Sequence, residues 1–166
     1  MQLVTKFHVT TANRLDSIRR YGLSPGHPCA IGGDSEPYHT HKKGRLFLCD
    51  PAGVHFWLGL SDCYVRSTFD RFEYRPNRIV PVVLRVNVFD SMLSRDLFGT
   101  ADAYAAAYFT TATIPQDSIE VWNRTRWDPL RGSILDLSDA FSADGRLEDN
   151  SKLRDPDIAY PAVRIR

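Results

Sequence analysis

The residue whose type and setting most invite chemistry is His8. It stands near the end of an alternating segment, Leu3 to Val9 (LVTKFHV), and is followed by Val9, Thr10 and Thr11. An imidazole at a strand end can accept or donate a hydrogen bond near neutral pH, so it can bind a sugar hydroxyl or move a proton. Taken alone, a histidine on an apolar strand is equally at home in a packed core. A second group, His27, Cys29, His39 and His41, offers nitrogen and sulfur ligands in one stretch. Its H-x-C and H-x-H pairs, nine residues apart, match no common metal site, and the reading is a polar loop without a metal. Cys29, Cys49 and Cys63 are odd in number and irregularly spaced, and are read as reduced thiols rather than a disulfide framework. The basic residues are 17 Arg against 4 Lys. Guanidinium suits bidentate contact with phosphate or carboxylate, although codon bias alone would produce the same skew. No phosphate loop with Lys-Ser/Thr, G-x-G-x-x-G, G-x-S-x-G or His-Glu-x-x-His is present, which argues against a P-loop NTPase, a Rossmann dehydrogenase, an α/β-hydrolase and a common zinc protease.

The elements that must position these residues follow from periodicity. Leu3, Thr5, Phe7 and Val9 share a face at period two, which predicts a strand. Thr11 is placed to cap a helix over Ala12 to Tyr21, with Leu15 and Ile18 on its buried side and Gly22 at its C-terminal stop. Leu23 to Gly44 is rich in Gly, Pro, Ser and His and reads as a long loop, a kind that is usually functional or mobile. A short strand, Leu46 to Cys49, precedes Asp50-Pro51, an N-cap and first-turn pair opening a helix over Ala52 to Leu60 that buries Val54, Trp57 and Leu58. Ile79 to Val88 alternates most clearly, with Pro81 suited to an entry or edge position. Ser91 to Phe98 and Ala101 to Ala107 read as short helices or loops, Tyr108 to Thr111 and Ser118 to Trp122 as short strands. Ile134 to Leu137 and Ala162 to Ile165 are weaker strands around a charged loop. These elements predict one α+β domain over residues 1–166 with mostly antiparallel strands.

In order along the chain, Phe7-His8-Val9-Thr10, Leu15-x-x-Ile18-x-x-x-Gly22-Leu23-x-Pro25, Arg45-Leu46-Phe47-Leu48, Pro81-Val82-Val83-Leu84-Arg85-Val86 and Tyr108-Phe109-Thr110-Thr111-x-x-Ile114-Pro115 resemble the ADP-ribosyltransferase fold. The likeness is to small bacterial members, including rifamycin ADP-ribosyltransferases and DNA-modifying toxins, and to the related RNA 2'-phosphotransferases. It covers about Leu3 to Val121. It implies a split, mostly antiparallel sheet with flanking short helices over a core of about 3–122, followed by an extension over 123–166.

The resemblance also implies a site. His8 matches the histidine that hydrogen-bonds the adenosine ribose of NAD, and Thr10 matches the family threonine. Val9 stands where a glycine often holds the nicotinamide amide through its backbone. Phe47 stands where a tyrosine ring stacks on nicotinamide, with Trp57 or Phe56 completing the aromatic wall, and Arg45 and Tyr108 flank the cofactor. The family acid falls at about Ala107, with no carboxylate within four residues; Asp96, Asp102 and Glu120 are the nearest, of which Asp102 and Glu120 are the catalytic candidates beside His8. Phosphotransferase relatives use arginines instead, and Arg45, Arg78 and Arg85 lie near those positions. The implied reaction loses nicotinamide through an oxocarbenium-like transition state, and lacking one general base costs about 10²- to 10⁴-fold.

The expected function is therefore transfer of ADP-ribose from NAD to a nucleic acid, a protein or a small molecule. The alternatives are an RNA 2'-phosphotransferase and a non-catalytic module binding NAD, ADP-ribose or a protein. An antitoxin or another protein is an expected partner, as for a toxin, and a membrane is not. No run approaches 18 apolar residues and no export signal opens the chain, so cytoplasm is the expected compartment. A net charge of +1 argues against retention on nucleic acid by bulk electrostatics.

Overall fold

The structure is a computed structural model and describes residues 1–25, 44–59, 81–97, 107–132 and 155. Among these residues seven strands form one sheet: β1 (Leu3–Thr11), β2 (Leu46–Cys49), β3 (Pro81–Phe89), β4 (Ser94–Arg95), β5 (Ala107–Thr110), β6 (Ile119–Trp122) and β7 (Trp127–Pro129). Their spatial order is β4-β5-β2-β1-β3-β6-β7, and every pairing among them is antiparallel. This is the expected α+β class. The backbone of β1 is in register with β3 over nine residues, from Leu3↔Phe89 to Thr11↔Pro81. Pro81 sits at the first position of β3, where its missing N–H costs the ladder least.

Alternation along β1 and β3 divides the core between the two faces of the sheet. On the first face Val82, Leu84, Val86 and Val88 meet Leu46, Leu48, Ile119 and Val121. Helix α1 (Leu15–Tyr21) covers them with Leu15 and Ile18, one turn apart. At seven residues it is too short to stand alone, so this apolar contact holds it. On the second face Phe7, Cys49, Val83 and Trp122 pack under a helix over residues 51–59, α2, through Val54 and Leu58. Each such fully buried side chain contributes about 1.5–3 kcal/mol.

Several local expectations are revised. Residues 12–14 form a 3-10 turn before α1, and Thr11 is the last residue of β1 with no side-chain cap bond. The segment after β3 holds a 3-10 turn, Asp90–Met92, and then the edge strand β4 rather than a helix or loop. Strand β7, unforeseen, returns along β6 after a turn in which Asn123 Oδ1 accepts from the backbone N–H groups of Thr125 and Arg126. The asparagine of the Asn-Arg-Thr triplet thus works as a turn residue, with Arg124 at φ 80°. Leu130, just beyond β7, is fully buried, and its N–H donates to Ile119 O, so the core extends past residue 122. Trp127 Nε1 donates to Asp155, linking β7 to the later chain. The loop expected over Leu23 to Gly44 lies largely outside the described residues, as do the weak strands after residue 133. No helix among the described residues is long and apolar enough to cross a membrane.

Gly22 closes the first face. Its φ of 77° is unfavourable for any residue with a Cβ, and a Cβ there would lie 2.3 Å from Ile114 O. The close approach lets Leu23 and Ile114 exchange both backbone hydrogen bonds at 2.9 Å. Gly22→Ala is therefore expected to lower stability by about 2–3 kcal/mol in urea denaturation. An unchanged midpoint would show that the α1 exit is not held by this contact.

Candidate functional site

The sheet is weakest where β2 meets β1. Across β3 the ladder of β1 is continuous, and β2 pairs with β5 at four positions, but β1 and β2 are in register only at Phe7↔Cys49. Backbone groups freed by such an opening need other partners. On one side of the pair, the carbonyl of Phe47 accepts a hydrogen bond from His8 Nδ1–H at 2.8 Å. On the other side, Lys6 Nζ donates to Asp50 Oδ1 at 2.6 Å. The imidazole thus sits in a fork between the strands and stands in for a missing ladder bond.

This bond defines the chemistry of His8. A carbonyl can only accept, so Nδ1 carries the proton and Nε2 presents a lone pair. Burial is the main cause of a lowered pKa; the Phe47 bond acts against it, and the positive charge of Arg14, in the turn after β1, adds to it. The ring is accordingly a neutral acceptor at neutral pH, suited to a hydroxyl donor.

The other expected site residues divide around this fork. Thr10 is buried two positions along β1 on the face of His8. Alternation sends Val9 and Phe47 to the second face, where Val9 and Trp57 pack against the Phe7 cluster. Phe47 is tilted against Phe109 at 6.4 Å, Arg45 lies 4.3 Å over the Phe109 ring, and Phe56 meets Trp57 edge-on at 5.3 Å. Phe47, Val9 and Trp57 are thus on the face away from His8 and are not brought to its ring. Tyr108 lies on the first face opposite Leu48, with its hydroxyl donating to Asp50 Oδ2 at 3.1 Å and its ring 3.9 Å beneath Lys6 Nζ.

Glu120 is not brought to His8. Register puts His8 level with Leu84 and Val121 on one face, and Arg85 with Glu120 on the other. There Arg85 Nε donates to Glu120 Oε2 at 2.6 Å and the guanidinium lies 4.7 Å over Trp127. Asp102 and Arg78 lie outside the described residues, as do His27, Cys29, His39, His41 and Cys63. Among the described residues no group of three or more His, Cys, Asp or Glu could hold a metal ion. Asp96 is buried, and its N–H donates to the carbonyl of Ala107, beside the position where an acid was expected. Burial pushes the Cys49 thiol pKa up, which makes it a core group rather than a nucleophile.

Sequence reasoning missed Lys6, Asp50 and Arg14. Lys6 was one polar position in a strand, and Asp50 read as a helix cap. The missed signal is that Lys6 is two residues from His8, on the same face of a strand buried on both sides. A lysine there requires a counter-ion nearby.

No protein-family model, curated protein or solved structure matches the chain.

The state of His8 is directly measurable. Because its folded pKa lies below the ordinary 6.5, protonation disfavours the folded form. Its contribution to stability is complete above pH 6.5 and is lost as pH falls below that value. An NMR titration of the imidazole is expected to show the Nδ1–H tautomer with a midpoint below 6.5. A midpoint at or above 6.5 would contradict the half-buried, carbonyl-bound assignment.

Proposed function

We propose that the chain is an NAD-dependent ADP-ribosyltransferase whose NAD site is the fork between β1 and β2. The observation that carries this reading is His8, fixed by the Phe47 carbonyl and left with an acceptor nitrogen at the seam where β1 and β2 are in register at one pair. A mostly antiparallel sheet with a ribose-binding histidine on its first strand is what the sequence resemblance implies. In this pose a ribose hydroxyl donates to Nε2, and Arg14, near enough to lower the His8 pKa, adds positive charge for the pyrophosphate.

The reaction breaks the bond between the ribose C1' and the nicotinamide nitrogen. The bonding pair leaves with nicotinamide, which becomes neutral, and the positive charge passes to the ribose as an oxocarbenium-like centre. An acceptor nucleophile then bonds to C1' and releases its proton. The protein's task is to hold the two ends of NAD in place and stabilise the charge that develops between them. The acceptor is a nucleic acid, a protein or a small molecule. A phosphotransferase reading is disfavoured because Arg85 is held by Glu120 and Trp127 on the face away from His8.

Incubation with labelled NAD is expected to release nicotinamide, with transfer to the correct acceptor or to water. His8→Ala is expected to weaken NAD binding about tenfold, the worth of one hydrogen bond. A thermal shift by NAD without nicotinamide release would identify a binding module. Neither a shift nor release would refute the proposal.

A further inference from the structure

The acid expected at the head of β5 is replaced by Ala107, whose side chain is 1% exposed and packed inside the sheet. Ala107 is not itself a charge donor, so any carboxylate at the reacting ribose comes from elsewhere. Among the described residues Glu120 is on the wrong face and engaged with Arg85. Asp96 is 4% exposed and lies on the far side of β5 from β1.

Asp50 is placed differently. It follows β2 and stands at the start of α2, where its carbonyl accepts from Gly53 N–H at 2.9 Å. An aspartate at this position ordinarily turns its carboxylate onto the first helical N–H groups. Here one oxygen goes to Lys6 on β1 and the other to Tyr108 on β5, so three neighbouring strands converge on it. The side chain of Lys6 is 11% exposed, whereas that of Asp50 is 37% exposed. The Asp50 side chain is therefore partly open to solvent, while Lys6 is enclosed and Tyr108 is half-buried. Lys6 and His8 are alternate residues of one strand, about 6.6 Å apart and on one face, so the Lys6–Asp50 pair lies on the side of the sheet that carries His8.

We propose that Asp50, oriented by Lys6 and Tyr108, is the carboxylate that faces the reacting ribose and takes the proton of the attacking nucleophile. The inference rests on the NAD reading of the fork. As C1' parts from nicotinamide, the carboxylate stabilises the positive charge on the ribose. When water or the acceptor bonds to C1', its proton passes to Asp50 and then to solvent. Asp50 is thus the catalytic residue, and Lys6 and Tyr108 are positioning residues that fix its two oxygens.

The test compares Asp50→Asn, Asp96→Asn and Tyr108→Phe with the wild type in nicotinamide release from NAD, alongside NAD affinity and thermal melting. Asp50→Asn is expected to lower kcat by about 10²- to 10⁴-fold. The KM for NAD is expected to stay near wild type, while the melting temperature falls because Lys6 loses its counter-ion. Tyr108→Phe, which removes one hydroxyl, is expected to lower kcat several-fold at unchanged KM. If Asp50→Asn fails to fold, this variant decides, because a purely structural role would leave its kcat alone. Wild-type turnover that survives in Asp50→Asn, or is lost in Asp96→Asn instead, would overturn the assignment while leaving the NAD site standing. A wild type that neither binds nor cleaves NAD would overturn both.

Discussion

One backbone pair, Phe7 with Cys49, joins the two halves of the sheet. Everything distinctive about the molecule follows from how little holds that seam and what was recruited to hold it. A long ladder would bury its own hydrogen bonds and leave no room for a ligand; no ladder would let the halves separate. The chain meets the constraint with side chains. His8 donates to the carbonyl next to the pair, and Lys6 with Asp50 forms an ion pair on its other side. Both devices are polar and lie within two residues of the pair; His8 keeps Nε2 for a ligand, and the Asp50 side chain stays partly exposed.

The apolar core makes the seam tolerable. The first-face cluster runs across it from Leu46 and Leu48 to Leu84 and Val86, and the second-face cluster does so from Cys49 to Phe7 and Val83. Packing therefore binds the halves where hydrogen bonds do not. At about 25 cal/mol per Å² of apolar surface, that packing outweighs the few ladder bonds given up, each worth only about 1 kcal/mol net. A fork flanked by packed faces can stay open without costing the fold its cooperativity.

Much of this was legible from the residues. The alternation of Leu3 to Val9 and of Val82 to Val88 marked the two central strands, and Leu15 with Ile18 marked the covering helix, because local period alone decides such elements. His8 drew attention for its type and its place near a strand end, and its bond to the Phe47 carbonyl was visible only once β1 and β2 were paired. The edge strands β4 and β7 were not, since two or three residues carry no period and exist only through their partners, Phe109 and Tyr108 for β4 and the β6 residues for β7. The contact of Lys6, Asp50 and Tyr108 was hidden for the same reason: 44 residues separate the first two and 58 the last two. Glu120 was a reasonable acid by distance along the chain, and only cross-strand register shows that it shares a face with Arg85 rather than His8.

The central claim is that the opening between β1 and β2 holds NAD against His8. A crystal structure of the chain with NAD tests it most directly. The nucleotide is expected at the seam of β1 and β2, with a ribose hydroxyl within hydrogen-bond distance of His8 Nε2 and Nδ1 still donating to the Phe47 carbonyl. NAD bound at another edge of the sheet, or a closed β1–β2 ladder with His8 turned into the core, would contradict it.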